Sequence, residues 1–119
     1  MGYSITQMDC KFFIAGKDKK ACLEACKKDE NLKDACKNIK SLEQLFSSYY
    51  YEPENEKADI IGLTFEGEKL SYSEMELFNV IAPYVKDGSY IQMMGEDGSM
   101  WRWVFDGKEC NEISPTITW

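Results

Sequence analysis

The hydrophobic period changes along this chain, most plainly at Ser89, and that change limits the folds open to it. Leu32, Ala35, Cys36 and Ile39 fall at i, i+3, i+4 and i+7, and Leu42, Leu45, Phe46 and Tyr49 repeat the same spacing. From Ser89 onward the spacing becomes two, with Trp101, Trp103 and Phe105 alternating with Arg102 and Val104. A 3.6-residue period marks one face of a helix, and a period of two marks one face of a strand. Helical stretches first and a run of strands last describe an α+β chain.

Punctuation places the boundaries. A first strand is expected over Met8–Ile14, with Met8, Cys10, Phe12 and Ile14 on one face, and Gly16 ends it. Asp18 is placed to cap helical residues 18–40, as one kinked helix or two short ones. Ser41-Leu42-Glu43-Gln44 fits a capping box, as does Ser73-Glu74-Met75-Glu76. Glu52 to Lys57 reads as a polar loop because Pro53 bars the helix from running through. A second strand follows from Asp59 to Glu66, with Ile61, Leu63 and Phe65 on one face. The later helix turns Leu77, Phe78, Ile81 and Ala82 inward until Pro83 shortens it.

Three strands, Tyr90–Met94, Ser99–Phe105 and Lys108–Ile113, are separated by Gly95-Glu96-Asp97-Gly98 and by Asp106-Gly107. The Asp-Gly pair predicts a type I′ hairpin turn. Thr116–Trp119 adds a short last strand. The expected order is β-α-(α)-α-β-α-β-β-β, forming a single mixed sheet with helices packed on one face and a C-terminal antiparallel meander. Residues 1–119 are expected to form one domain, since a chain of this length buries about two-thirds of its unfolded surface without staples.

Histidine is absent. That removes Ser-His-Asp and Cys-His nucleophiles, the HExxH metal site and any histidine pH switch. Cys10, Cys22, Cys26, Cys36 and Cys110 are odd in number and follow no secretory leader pattern, which predicts free thiols in the cytoplasm. Cys22 and Cys26 lie four apart and share a helix face, so with Cys36 and Cys10 they offer four thiolates to zinc. The spacing is not the Cys-x2-Cys knuckle, and cysteine also packs as a small hydrophobe beside Ala21, Ala25 and Ala35. The glycines form no phosphate-binding loop, and no carboxylates follow the calcium-loop spacing. No catalytic residue, cofactor or metal is assigned, and the chain reads as no enzyme. No apolar run approaches the ~20 residues of a membrane span.

Charge is uneven within the net −7. Residues 1–40 hold nine lysines against six acids, while residues 41–119 hold five basic residues against fifteen acids. Lys33, Lys37 and Lys40, at i, i+4 and i+7, form a basic stripe for phosphates or simply a solvated helix face. Tyr49, Tyr50 and Tyr51 are consecutive, so all three cannot face the core, and Glu52, Glu54 and Glu56 follow directly. These six are the candidate partner-binding residues. Trp101, Trp103 and Phe105 are read as the buried face of a sheet, the alternative being an aromatic platform.

The stretch Asp87–Gly107, with Gly88-Ser89-Tyr90-Ile91, Gly95-Glu96-Asp97-Gly98 and Trp101-Arg102-Trp103-Val104-Phe105, resembles a group of small proteins of gut-type bacteria and their phages. That group has no assigned activity, so the resemblance implies no site residue. It implies an accessory or anti-defence factor, a class that includes nucleic-acid mimics. The resulting expectation is a monomeric, acidic, protein-binding accessory factor whose partner presents a basic surface. An inhibitor of a nucleic-acid-binding defence protein would fit. The alternatives are a nucleic-acid-binding domain using the lysine-rich helices, which the charge of −7 disfavours, and a housekeeping domain.

Overall fold

The computed structural model describes residues 4–67 and 74–114. These form three helices and six strands in the order β1 (Ile5–Lys11), α1 (Lys19–Lys28), α2 (Leu42–Ser48), β2 (Tyr51–Glu56), β3 (Asp59–Phe65), α3 (Glu74–Ile81), β4 (Tyr90–Gly95), β5 (Met100–Phe105) and β6 (Cys110–Ile113). The chain is α+β and ends in an antiparallel meander, as the change of period predicts. The single mixed sheet is not formed. Two antiparallel sheets take its place, one of four strands in the order β1-β4-β5-β6 and a hairpin of β2 and β3. The expected cap at Ser73 and the strand over Thr116–Trp119 lie outside the described residues.

The two sheets are joined through β1 and the residues after it. Ile14 exchanges both backbone hydrogen bonds with Ile60, at 2.9 and 3.0 Å, and also bridges Val85. Farther along β3, the Gln7 amide donates to Leu63 O and accepts from Phe65 N, each at 2.9 Å. The Gln7 side chain, together with the Cys10 sulfur that accepts from Leu63 N, therefore occupies the β3 edge where another strand would pair, and that edge is closed without a continuous sheet. A bulge at Met8 aims Gln7 this way. Gln7 pairs with Met93 and Asp9 with Gln92, so Met8 is the extra residue. Ile5, Gln7 and Cys10 then point inward, and Met8, expected in the core, is 48% exposed.

A second bulge alters β3. Glu54 pairs with Gly62 and Asn55 with Ile60, leaving Ile61 over. Ile60, Leu63 and Phe65 are buried while Ile61 is 40% exposed, which corrects the expected face. The polar stretch read as a loop is β2 itself. Because Leu63 and Phe65 turn their amides toward Gln7, Pro53 and Tyr51 opposite them turn theirs away from β3. Pro53 therefore costs the ladder no hydrogen bond, the condition under which a strand tolerates proline.

Residues 30–38 are a chain of turns rather than a helix, so Ala35 of the expected stripe is exposed, although Leu32, Cys36 and Ile39 are buried as their spacing predicts. Asp29 accepts backbone bonds from Leu32 and Lys33 and a side-chain bond from Asn31 N, which diverts the chain at the end of α1. In α2 the Ser41 hydroxyl accepts from Gln44 N at 3.1 Å, as a capping box requires; Gln44 reaches back one residue farther, to Lys40 N. The Asp106-Gly107 turn occurs where expected but is not type I′. Only Gly107 has a positive φ, and the Asp106 carboxylate instead accepts from Lys108 N and Glu109 N. Those bonds hold its carboxyl below the usual range.

One core cluster gathers side chains from both sheets and all three helices. Phe78 of α3 packs edge-on against Trp103 and Phe105, and Phe12 does so against Phe46 and Phe105. Trp103 and Phe105 are thus buried as the alternation predicts, while Trp101 on the same face is half-buried. Gly16 closes one corner, since a Cβ there would lie 2.6 Å from the Ala58 Cβ at the tip of the β2–β3 hairpin.

Candidate functional site

The three consecutive tyrosines divide sharply. Tyr49 and Tyr51 are buried, and Tyr50 is 58% exposed. Tyr50 sits just beyond α2 with φ +68°, and its N–H bonds Ser47 O. This left-handed residue ends the helix and reverses the chain into β2, sending its two neighbours inward and its own ring outward. Tyr51 packs on Phe65 at 5.0 Å and on Phe78 at 5.9 Å. Burial, with the charge of Glu74 nearby, pushes its phenol far above the ordinary value, and its hydroxyl has no hydrogen-bond partner. Tyr49 and Tyr51 are therefore core residues, unavailable to a partner, and Tyr50 is the one tyrosine of the three left to meet one.

Glu52, Glu54 and Glu56 are all exposed along β2, and none forms an ion pair with a described residue. Glu52 and Glu54 share one face, about 7 Å apart at the strand repeat. The Glu54 carboxylate folds over Gly62, whose missing side chain leaves room for it. With Tyr50 at one end, these residues form an acidic ridge on the outer hairpin. The free edge of β2 carries Pro53, so a partner strand would lack a donor at its centre. The ridge can present carboxylates and a phenol ring; it is poorly suited to strand addition.

The other end of the hairpin is fixed in place. Lys19 forms an ion pair with Glu43 and donates to Ala58 O at 2.8 Å. Glu43 also accepts from the Asn55 amide at 3.0 Å, and Asp59 accepts from Gly16 N at 2.7 Å. Partial burial opposes ionising Glu43, but the Lys19 ammonium and the Asn55 amide outweigh it, and its carboxyl lies below the ordinary 4.5. A carboxyl lowered by folding stabilises the fold above its unfolded pKa and loses that contribution as pH falls through the folded value. Replacing Glu43 with Gln should therefore flatten the pH dependence of the unfolding midpoint between about pH 5 and about pH 2. Equal slopes for parent and variant would show that the ion pair is inert.

Four of the five thiols are core residues, and Cys10 is half-buried against them. Cys22, Cys26 and Cys36 are at most 1% exposed, and Cys22 donates to Cys26, which pushes the Cys22 thiol well up. Cys10 lies on β1, where its sulfur accepts from Leu63 N, and burial raises the Cys110 thiol to about 12. Among the described residues, no three Cys, Asp or Glu side chains are arranged to hold a metal ion. Lys33, Lys37 and Lys40 are exposed, but they stand on turns and the segment after them, so the helical stripe is not formed. Lys33 is paired with Glu30 at 3.2 Å. No described helix is long and apolar enough to cross a membrane.

No protein-family model, curated protein or solved structure matches this chain.

Two features of the ridge were hidden in the sequence. Nothing local marks Tyr50 rather than Tyr49 or Tyr51 as the exposed ring. Nothing local shows that Glu52, Glu54 and Glu56 share a strand. The one available signal was that Pro53 permits an edge strand as readily as a loop.

Proposed function

We propose that this protein is a non-enzymatic, cytoplasmic binding factor whose β2–β3 hairpin engages a basic surface on another protein. Proteins that bind nucleic acid, including bacterial defence nucleases, present such surfaces. The observation that carries this reading is the row of exposed carboxylates on β2, unpaired by any described cation and ending at the outward Tyr50 ring. Unpaired surface charge of one sign steers an oppositely charged partner and speeds encounter. A tyrosine at the margin supplies apolar contact and a hydroxyl at little entropic cost. The bias of residues 41–119, fifteen acids against five basic residues, agrees in sign.

Capture from a bacterial lysate, identified by mass spectrometry, would supply the partner for the test. Changing Glu52, Glu54 and Glu56 together to Lys should slow association about tenfold or more at low salt, without shifting the unfolding midpoint. The parent rate should itself fall as salt rises, because exposed charges are screened within ~10 Å at 0.1 M. Changing Lys33 and Lys37 to Glu should leave the rate within about twofold. Loss of binding from the lysine reversals, with the glutamate reversals harmless, would instead make the chain a nucleic-acid binder. Indifference to both sets and to salt would remove the charge-based reading.

A further inference from the structure

We propose that the outer face of the four-stranded sheet is self-complementary and joins two copies of this chain. The inner face of that sheet is core, with Ile91, Met93 and Trp103 at most 2% exposed. The outer face carries no helix or strand among the described residues, and its central side chains are half-buried. Asp9, Gln92 and Arg102 form one cross-strand row, Asp9 pairing with Gln92 and Gln92 with Arg102.

The charges in this row are held in place. Arg102, the only arginine in the chain, lies flat over the Tyr90 ring at 4.1 Å and donates through Nε and Nη2 to Gln92 Oε1, at 3.2 and 2.5 Å. Asp9 Oδ2 accepts from the Tyr90 hydroxyl at 2.8 Å. A guanidinium has five N–H donors, so three are left over, and neither Arg102 nor Asp9 forms an ion pair with a described residue. Their spacing prevents it, because Gln92 stands between them and neighbouring strands are about 4.8 Å apart.

A two-fold axis running along β4 through Gln92 exchanges the outer positions of the row. Asp9 of each copy then faces Arg102 of the other, giving two equivalent ion pairs from one operation, as a closed two-fold interface requires. The same operation sets Met94 against Met94 and Met100 against Thr6. It brings the two sheets face to face with their strands aligned, the usual arrangement of packed sheets. The footprint, four strands of about 20 Å, is on the order of 300 Å2. A standard interface buries about 800 Å2 per partner, so the association is weak and reversible. It displaces the monomer expected from the sequence, and it uses no carboxylate of the hairpin, so either proposal can fail alone.

Sedimentation equilibrium on the full chain, from about 50 µM to about 1 mM, is the test, a range suited to an interface of this size. A monomer–dimer equilibrium is expected. Asp9→Arg alone and Arg102→Asp alone should each weaken it about tenfold or more, since each sets like charges against one another. The double variant Asp9→Arg with Arg102→Asp should return to within about threefold of the parent, because the pairs re-form with reversed sign. Denaturant midpoints close to the parent's would show that the single variants remain folded, and Arg102→Lys should keep most of the association. A single monomeric species across the range would overturn the proposal. So would a dimer that neither single change weakens, or one that the double change fails to restore.

Discussion

Trp103→Ala is expected to lower the free energy of unfolding by about 3–5 kcal/mol, the range for truncating a large buried aromatic. Trp103 is 2% exposed and sits where β5 meets α3, its ring 4.9 Å from Phe78 and 6.0 Å from Trp101. Truncation would take from Phe78 the nearer of the two β5 rings it meets edge-on in the layer between helix and sheet. One term works the other way. The indole Nε1 is buried without a hydrogen-bond partner, and an unsatisfied buried donor costs about 1–3 kcal/mol. Trp103→Phe removes that donor while keeping a ring, so its loss should be less than half that of Trp103→Ala. Urea unfolding of both variants decides the matter. An alanine variant within about 0.5 kcal/mol of the parent, the range of surface substitutions, would mean this face is not core.

Gln7→Ala is expected to cost about 2–4 kcal/mol, unusually large for a residue that is only half-buried. The side chain matters for what it satisfies. Its amide takes both Leu63 O and Phe65 N on the closed edge of β3, and stranding a buried backbone group costs about 1–3 kcal/mol. Ordinary surface substitutions stay within about 0.5 kcal/mol, so the two cases separate cleanly. Amide exchange should localise the effect: the Phe65 N–H, slow in the parent, should exchange faster in the variant, while Ile60, held by Ile14 backbone, should change least. If Phe65 keeps its protection, the seam between the sheets rests on Ile14 and on the Leu63 N–H held by Cys10.

Much of the local structure was legible in the residues. Ser41 with Gln44 fixed the start of α2 because a capping serine serves orphan amides three residues away, whatever lies beyond. The alternation of Trp101, Trp103 and Phe105 marked the inner face of the meander, where Trp103 and Phe105 are buried and Trp101 half-buried, since a sheet wet on one side imposes that pattern. Even where residues 30–38 formed turns in place of a helix, the spacing of Leu32, Ala35, Cys36 and Ile39 named three buried side chains correctly and missed only at Ala35, which is exposed. Hydrophobicity, which each residue carries with it, sets most of this burial wherever no bulge shifts the face.

Pairing is set by a partner, and that only the tertiary structure decided. The residues of β2 alternate in neither hydrophobicity nor burial, because most of them face water, so their strand state comes from the β3 ladder rather than from their own preference. The bulges at Met8 and Ile61 exist only relative to the strands opposite, yet they choose which side chains enter the core and aim Gln7 across the seam. Which strands pair also divides one expected sheet into two. The candidate ridge follows the same division: its charges were plain in Glu52, Glu54 and Glu56, whereas their alignment on one strand, and the outward turn of Tyr50, depended on a backbone reversal that long-range packing imposes and no local pattern encodes.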